Sequence, residues 1–369
     1  MARCSSKARR CGVSDLETLT REHNAFYTAD QLVITHFPEP RWAVPGIIAE
    51  GLTVLAGAPK IGKSWLVLGV AIAVANGHPS LGKIDTTGGD VLYAALEDTP
   101  RRLKSRLVKM LKGEHGPARL NIITGLPEMP RAIELLDGWL EEHPGARLVI
   151  IDVLGKVRPP QGPSTDRYDS DYRTIGQLKR LADKHAVAVV AVTHTRKMGA
   201  EDAFDTVSGS TGFTGAADTT VVLRRGRGET SAILHVTGRD VEESEYALTF
   251  DALTGSWTLD GNALAEAASR AQSLKATAGL GDKAAEVIEF VYAYPEGVRA
   301  NTVAAALSLP DSTARQYLKR ARDAGRIEQS ARGVYVPVTS VTSVTSPESV
   351  TSERDSSDAR DTHLWGEQP

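Results

Sequence analysis

Eight consecutive residues, Gly57-Ala58-Pro59-Lys60-Ile61-Gly62-Lys63-Ser64, satisfy the pattern GxxxxGK[ST] in full. Each position has a chemical reason. The glycines let the backbone close around a phosphate with its amides pointing inward. Lys63 carries positive charge to the β and γ phosphates, and the Ser64 hydroxyl is a hard oxygen ligand for Mg²⁺. The apolar run Trp65 to Ala75 predicts a helix whose N-terminal dipole points at the anion. The expected ligands are ATP and Mg²⁺, with nucleotide contacts along Gly57, Ala58, Pro59, Lys60, Ile61, Gly62, Lys63, Ser64 and Trp65.

Three further residues follow apolar runs that read as strands. Asp152 closes Leu148 to Ile151, where a carboxylate can hold the water shell of the metal. Glu97 closes Val91 to Leu96, and is expected beside the phosphate-loop strand, placed to orient and deprotonate an attacking water. Within Glu97-Asp98-Thr99-Pro100 a helix cap is the plainer reading, and Asp98 is the second candidate base. His194 follows Ala186 to Val192 and is expected to sense the γ-phosphate, with a purely structural histidine as the alternative.

These groups need a scaffold that delivers strand ends to one edge. Apolar strands at Leu52 to Ala56, Val91 to Leu96, Leu148 to Ile151 and Ala186 to Val192 alternate with helical patterns, which predicts a mainly parallel α/β sheet covered on both faces. β-rich stretches follow at 219–223, 231–236, 246–250 and 256–259. The expected plan is a flexible basic arm at 1–30, an ATPase domain over 40–260, an Ala/Ser/Gly-rich linker at 261–281 and a small unit at 282–338. A Val-Thr-Ser-rich tail, expected to be disordered, fills 339–369. In the small unit, helices are expected at 282–294, 301–308 and from Asp311 or Ser312 to Gly325, then a hairpin turning at Gly333: a winged helix-turn-helix.

Composition narrows the classes. The chain has 369 residues, 41% of them hydrophobic, and a net charge of −3, so any nucleic-acid surface must be local. Cys4 and Cys11 are the only cysteines and form no metal-ligand pattern, which fits a reduced cytoplasmic setting. The longest apolar run has 11 residues, against the roughly 20 that a bilayer span needs, so no membrane partner is expected.

The stretches Leu55 to Ser64, Ala95-Leu96-Glu97-Asp98, Ile150-Ile151-Asp152, Thr193-His194-Thr195-Arg196-Lys197 and Ser208 to Gly212, running on to Ala216-Ala217-Asp218, resemble the RepA-type branch of RecA-like ATPases. These are hexameric replicative helicases of plasmids and phages. The resemblance covers about 40–260, and implies a RecA-like P-loop core acting as an ATP-driven DNA motor. It makes Glu97 the base, Asp152 the metal residue and His194 the sensor. It also implies a homo-hexamer whose nucleotide sits between subunits, with Arg239 as the arginine supplied by a neighbour and Arg224, Arg225 and Arg227 as competitors. Thr237 departs from the basic residue that related rings carry two positions before their arginine. Segments after Asp152 and His194, with Lys156, Arg158, Arg196 and Lys197, would face single-stranded DNA in the channel, although they also hold several acidic residues. A replication initiator or a primase is the partner class that such a motor implies.

The C-terminal unit speaks for nucleic acid separately. Arg315, Lys319, Arg322 and Arg326 form one stripe of its third helix beside an apolar stripe of Ala314, Tyr317, Leu318 and Ala321, as expected of a recognition helix for duplex DNA. Two rival readings remain: a regulatory ATPase in which nucleotide switches assembly or DNA binding, and a replication initiator or transcription regulator acting through the winged helix.

Overall fold

A computed structural model of the chain describes residues 27–159, 167–195, 203–204, 215–226 and 228–338. The arm up to Phe26, Arg196, Lys197, the Ser208 to Gly212 segment, Arg227 and the 339–369 tail lie outside the described residues. The chain divides into two compact units, Met1–Leu274 and Lys275–Pro369.

The first unit is built on a nine-stranded sheet in the order β11-β10-β9-β8-β3-β7-β6-β4-β5. Its parallel part comprises β3 (Gly51–Gly57), β4 (Asp90–Ala95), β5 (Leu120–Ile123), β6 (Ala146–Asp152), β7 (Ala188–Val192) and β8 (Thr219–Arg225). An antiparallel extension adds β9 (Ser231–Gly238), β10 (Ser244–Asp251) and β11 (Ser256–Leu259). A two-stranded ribbon, β1 (Trp42–Val44) and β2 (Ile48–Ala49), precedes the sheet, after a short helix α1 (Ala29–Ile34).

Strand periodicity sorts the core into two layers. Leu52, Val54 and Ala56 of β3 join one cluster with Val149, Ile151, Val189 and Ala191. Leu55 joins the other with Leu148, Ile150, Val190 and Val192. Successive side chains point to opposite faces, so strands covered on both sides must be apolar throughout. Helix α2 (Lys63–Asn76) follows β3 and packs in the second cluster; it buries Leu66, Val67, Leu68, Val70, Ala71 and Val74 and ends on Gly77 at φ 68°, a left-handed cap suited to glycine. Helix α3 (Pro100–Leu111) follows β4, while α4 (Arg131–Glu142) and α5 (Arg167–His185) precede β6 and β7. This is the mainly parallel α/β sheet, covered on both faces, that the sequence predicts. Strand β5 is absent from that expectation: its four residues are half-buried at the sheet edge and too short for a periodic signal.

The expected linker at 261–281 contains a helix instead, α6 (Leu264–Thr277), and the boundary between the units falls within it. Alanine is the strongest helix former, and Ala267 and Ala271, four residues apart, share one face and are fully buried.

The second unit runs α7 (Asp282–Tyr292), β12 (Val298–Arg299), α8 (Ala300–Ala306), α9 (Asp311–Asp323), β13 (Ile327–Ala331) and β14 (Val334–Pro337), with sheet order β12-β14-β13. Val287, Ile288, Val291, Val303, Ala314, Leu318 and Ile327 form its core. Helix, strand, two helices and a hairpin follow one another. Helix α9 starts at Asp311, within the expected bounds, with Pro310 as its N-cap.

Candidate functional site

The phosphate loop links β3 to α2. A Cβ on Gly57 would come within 2.8 Å of the Leu223 carbonyl, and Gly62 sits at φ 106°. Glycine is what both positions permit. Trp257 of β11 donates its indole N–H to the Gly62 carbonyl at 3.1 Å, and its ring closes the space above that residue. The second glycine of the motif is thus held by a side chain almost 200 residues later in the chain.

Lys63 is buried at the first turn of α2. Its Nζ donates to the carbonyls of Gly57 at 2.7 Å and Ala58 at 2.9 Å, and lies 3.1 Å from Nδ1 of His194. Burial lowers its pKa to about 8, against the opposing pull of Asp152 and Glu97. Burial, then the Lys63 charge, lowers the pKa of His194. A neutral ring with its proton on Nε2 can accept from the ammonium through Nδ1.

Asp152 is the last residue of β6 and only 4% exposed. Tyr93 of β4 donates its hydroxyl to Oδ2 at 2.9 Å, and Ser64 bonds to the same carboxylate. Burial raises the pKa of Asp152, while those two hydrogen bonds oppose the shift. The register explains the meeting: Ala95 pairs with Asp152, and Asp152 with Val192, so β4, β6 and β7 end side by side.

Glu97 lines the same cleft, but by a different route from the expected one. β4 does not flank the phosphate-loop strand, because β7 and β6 lie between them. Glu97 stands two residues beyond the end of β4, at the turn into α3. Asp98, the second candidate, is committed elsewhere. Its carboxylate pairs with Arg102 at 3.0 Å and with Arg106 more closely still, while Thr99 caps α3 by accepting from the Arg102 amide. Of the two neighbouring acids, only Glu97 faces the cleft.

The cleft holds about 370 Å³ and is lined by Lys60, Gly62, Lys63, Ser64, Trp65, Glu97, Arg106, Asp152, Val153, His194, Arg225 and Phe250. Arg106 and Arg225 are cations that motif reading does not place there. Arg225, at the end of β8, lies over the Phe250 ring at 4.6 Å and the Trp257 ring at 5.4 Å. Arg106 and Lys109 lie over Trp65 at 5.2 and 5.6 Å. Each such interaction contributes about 0.5–2 kcal/mol and fixes the cation at the wall. The available signal for Arg225 is its place at the end of the strand next to β3, whereas the sequence alone makes it only a competitor of Arg239.

Arg239 lies away from this cleft. β8 runs parallel to β3, with Gly57 opposite Leu223, and β9 runs back so that Gly238 pairs with Thr219. Arg239 therefore sits at the start of β3, one strand length from the phosphate loop, about 20 Å at roughly 3.3 Å per residue.

The expected DNA contacts separate similarly. Lys156 is exposed on the turn after β6, whereas Arg158 is half-buried and engaged within the chain. On α9, Arg315 and Lys319 are exposed, and Arg315 lies 3.6 Å from Asp311. Arg322 binds Asp323 at 2.7 Å and Gln329 at 2.9 Å. Arg326 drops out of the stripe, because its guanidinium donates to the carbonyls of Ala276 and Ala278.

Residues 18–200 match the AAA_25 family, described as an AAA domain. Among solved structures, the ATPase domain of G40P aligns with 57% of this chain and 84% of its own, at 16% identity and a TM-score of 0.47. A DnaB-like replicative helicase, solved with its interactions with primase, aligns with 67% of this chain and 70% of its own, at 15% identity and a TM-score of 0.49. Among the described residues, no helix is long and apolar enough to cross a membrane.

Proposed function

We propose that the chain, whose residues 18–200 match a family described as an AAA domain, is an ATP-hydrolysing motor on DNA, a RepA-like replicative helicase serving plasmid or phage replication. One observation carries the reading: Lys63, Ser64, Glu97, Asp152 and His194 come from four separate segments and line a single cleft at one edge of the sheet.

The donor set suits a magnesium nucleotide. The Ser64 hydroxyl and the Asp152 carboxylate are adjacent hard oxygens and would hold Mg²⁺, which supplies charge neutralisation on the phosphates. Lys63 leaves its carbonyl partners for the β and γ phosphates. Glu97 takes the proton of a water as that water's oxygen bonds to the γ-phosphorus and the bond to the bridging oxygen breaks. Lys63 then balances charge gathering on the departing diphosphate. His194, released by Lys63, turns to the γ-phosphate and carries its state to the segment that follows. Arg239 acts on the nucleotide of a neighbouring copy in a hexamer, since its own cleft is a strand length away. Lys156, with Arg196 and Lys197, tracks a single strand; Arg315, Lys319 and Arg322 meet duplex DNA. Arg158 contributes less because it is half-buried.

Strand displacement separates a motor from a regulatory ATPase. A labelled strand should leave a forked duplex with ATP and Mg²⁺ and remain with a non-hydrolysable analogue. Brisk hydrolysis without displacement on any fork would favour the regulator.

A further inference from the structure

We propose that Asp218 is a positioning residue that presents Arg239 to the nucleotide of a second copy of this chain. The inference rests on the reading of Arg239 as a residue acting across an interface.

Asp218 immediately precedes β8 and is 9% exposed. Its Oδ2 accepts the Leu52 N–H at 2.8 Å and lies 3.1 Å from Nζ of Lys179, while Oδ1 lies 3.5 Å from Nη1 of Arg239. Its backbone binds on both sides as well: the Asp218 N–H donates to the Leu52 carbonyl at 2.9 Å, and the Arg239 N–H donates to the Asp218 carbonyl at 2.8 Å. The surrounding space is shaped for this one residue. A Cβ on Gly51 would lie 2.6 Å from Oδ2, and one on Gly238 would lie 2.8 Å from the Asp218 carbonyl.

Arg239 is held at its root and free at its tip. Its side chain is 62% exposed, and its side-chain contacts among the described residues, to Asp218 and the Gly215 carbonyl, are both at about the limit of a hydrogen bond. An ion pair this exposed is weak, enough to bias rotamers and little enough to yield to a phosphate. The same carboxylate grips Leu52 at the start of β3, the strand whose far end is the phosphate loop. One strand thus joins the group offered outward to the site that receives nucleotide. Lys179 completes the corner: partial burial works against its charge, but hydrogen bonds to Asp183 and Asp218 hold its pKa above the usual value.

Asp218→Asn keeps an acceptor for the Leu52 amide and removes the charge that faces Arg239. In the assembled full-length chain, turnover should fall about tenfold with KM for ATP nearly unchanged and the melting temperature within a few degrees. Mixed with Lys63→Ala copies, turnover should rise above that of either parent, because an Asp218→Asn cleft then meets an intact Arg239. Should Asp218→Asn fail to fold, Asp218→Ser, small enough for the corner, takes its place. Loss of turnover without recovery in demonstrated mixed assemblies would make Asp218 structural and overturn the proposal, as would unchanged turnover. Arg239→Ala separates the two levels. If it retains full turnover, the interface reading fails. If it loses turnover and recovers with Lys63→Ala while Asp218→Asn stays active, only the inference about Asp218 fails.

Discussion

Nζ of Lys63 lies 3.1 Å from Nδ1 of His194, so the ammonium of the phosphate loop rests on the residue proposed to read the γ-phosphate. With the carbonyls of Gly57 and Ala58, the histidine completes three acceptors for three ammonium protons. Nucleotide must exchange all three, which links phosphate arrival to release of His194.

The buried Lys63 charge has a stability consequence. Its folded pKa of about 8 lies below the ordinary 10.5. Between those values the unfolded chain binds the extra proton, so stability of the nucleotide-free protein rises with pH across that window. Lys63→Met should raise the melting temperature at pH 7, by a stability gain of about 1–3 kcal/mol, and flatten its rise between pH 8 and 10. The same variant should lose all stabilisation by ATP. Thermal unfolding with and without Mg-ATP checks both; a less stable variant still protected by ATP would contradict the assignment.

Glu97 and Asp98 should separate cleanly. Glu97→Gln is expected to bind ATP normally and to turn over about 10²–10⁴-fold more slowly. Asp98→Asn leaves Arg102 and Arg106 without their shared carboxylate, and should lower the melting temperature more than it slows turnover. The reverse pattern in single-turnover assays would move the base to Asp98.

Trp257→Phe keeps a ring over Gly62 and removes the bond to its carbonyl. A half-buried hydrogen bond of about 0.5–1.5 kcal/mol corresponds to roughly a 2–10-fold rise in KM for ATP, with kcat little changed. Nucleotide titrations should show Trp257→Leu to be weaker still. Equal affinity in all three proteins would remove Trp257 from the support of the loop.

On the C-terminal unit, removing one cation that touches a DNA phosphate should lower the salt slope of duplex binding by about one. Arg315→Ala and Lys319→Ala should each do so. Arg322→Ala should do less, because Asp323 and Gln329 already engage it. Basal ATP turnover should stay at the wild-type rate. Normal duplex binding by the triple variant would recast the unit as a protein-contact module.

Legibility follows range along the chain. The phosphate loop is contiguous, and the strands that lead to Asp152 and His194 announce themselves by unbroken apolar runs. Strand order is not written locally, which is why the sequence suggests Glu97 beside β3 although β6 and β7 intervene. Phe250 reaches the cleft, and Trp257 the Gly62 carbonyl, only through the antiparallel extension, a meeting that no short pattern records. The fate of Asp98 is closer to hand, since Arg102 and Arg106 follow it at four and eight residues, at the start of a helix. The segment 264–277 shows the opposite error: its alanines resemble a linker by composition, yet their spacing builds a buried helix face.

The most direct measurement is steady-state ATP turnover by the full chain, with and without single-stranded DNA, beside Lys63→Ala prepared identically. The account predicts Mg²⁺-dependent hydrolysis, stimulated at least several-fold by the single strand and abolished in Lys63→Ala. Turnover that ignores single-stranded DNA, or that survives in Lys63→Ala, would contradict it.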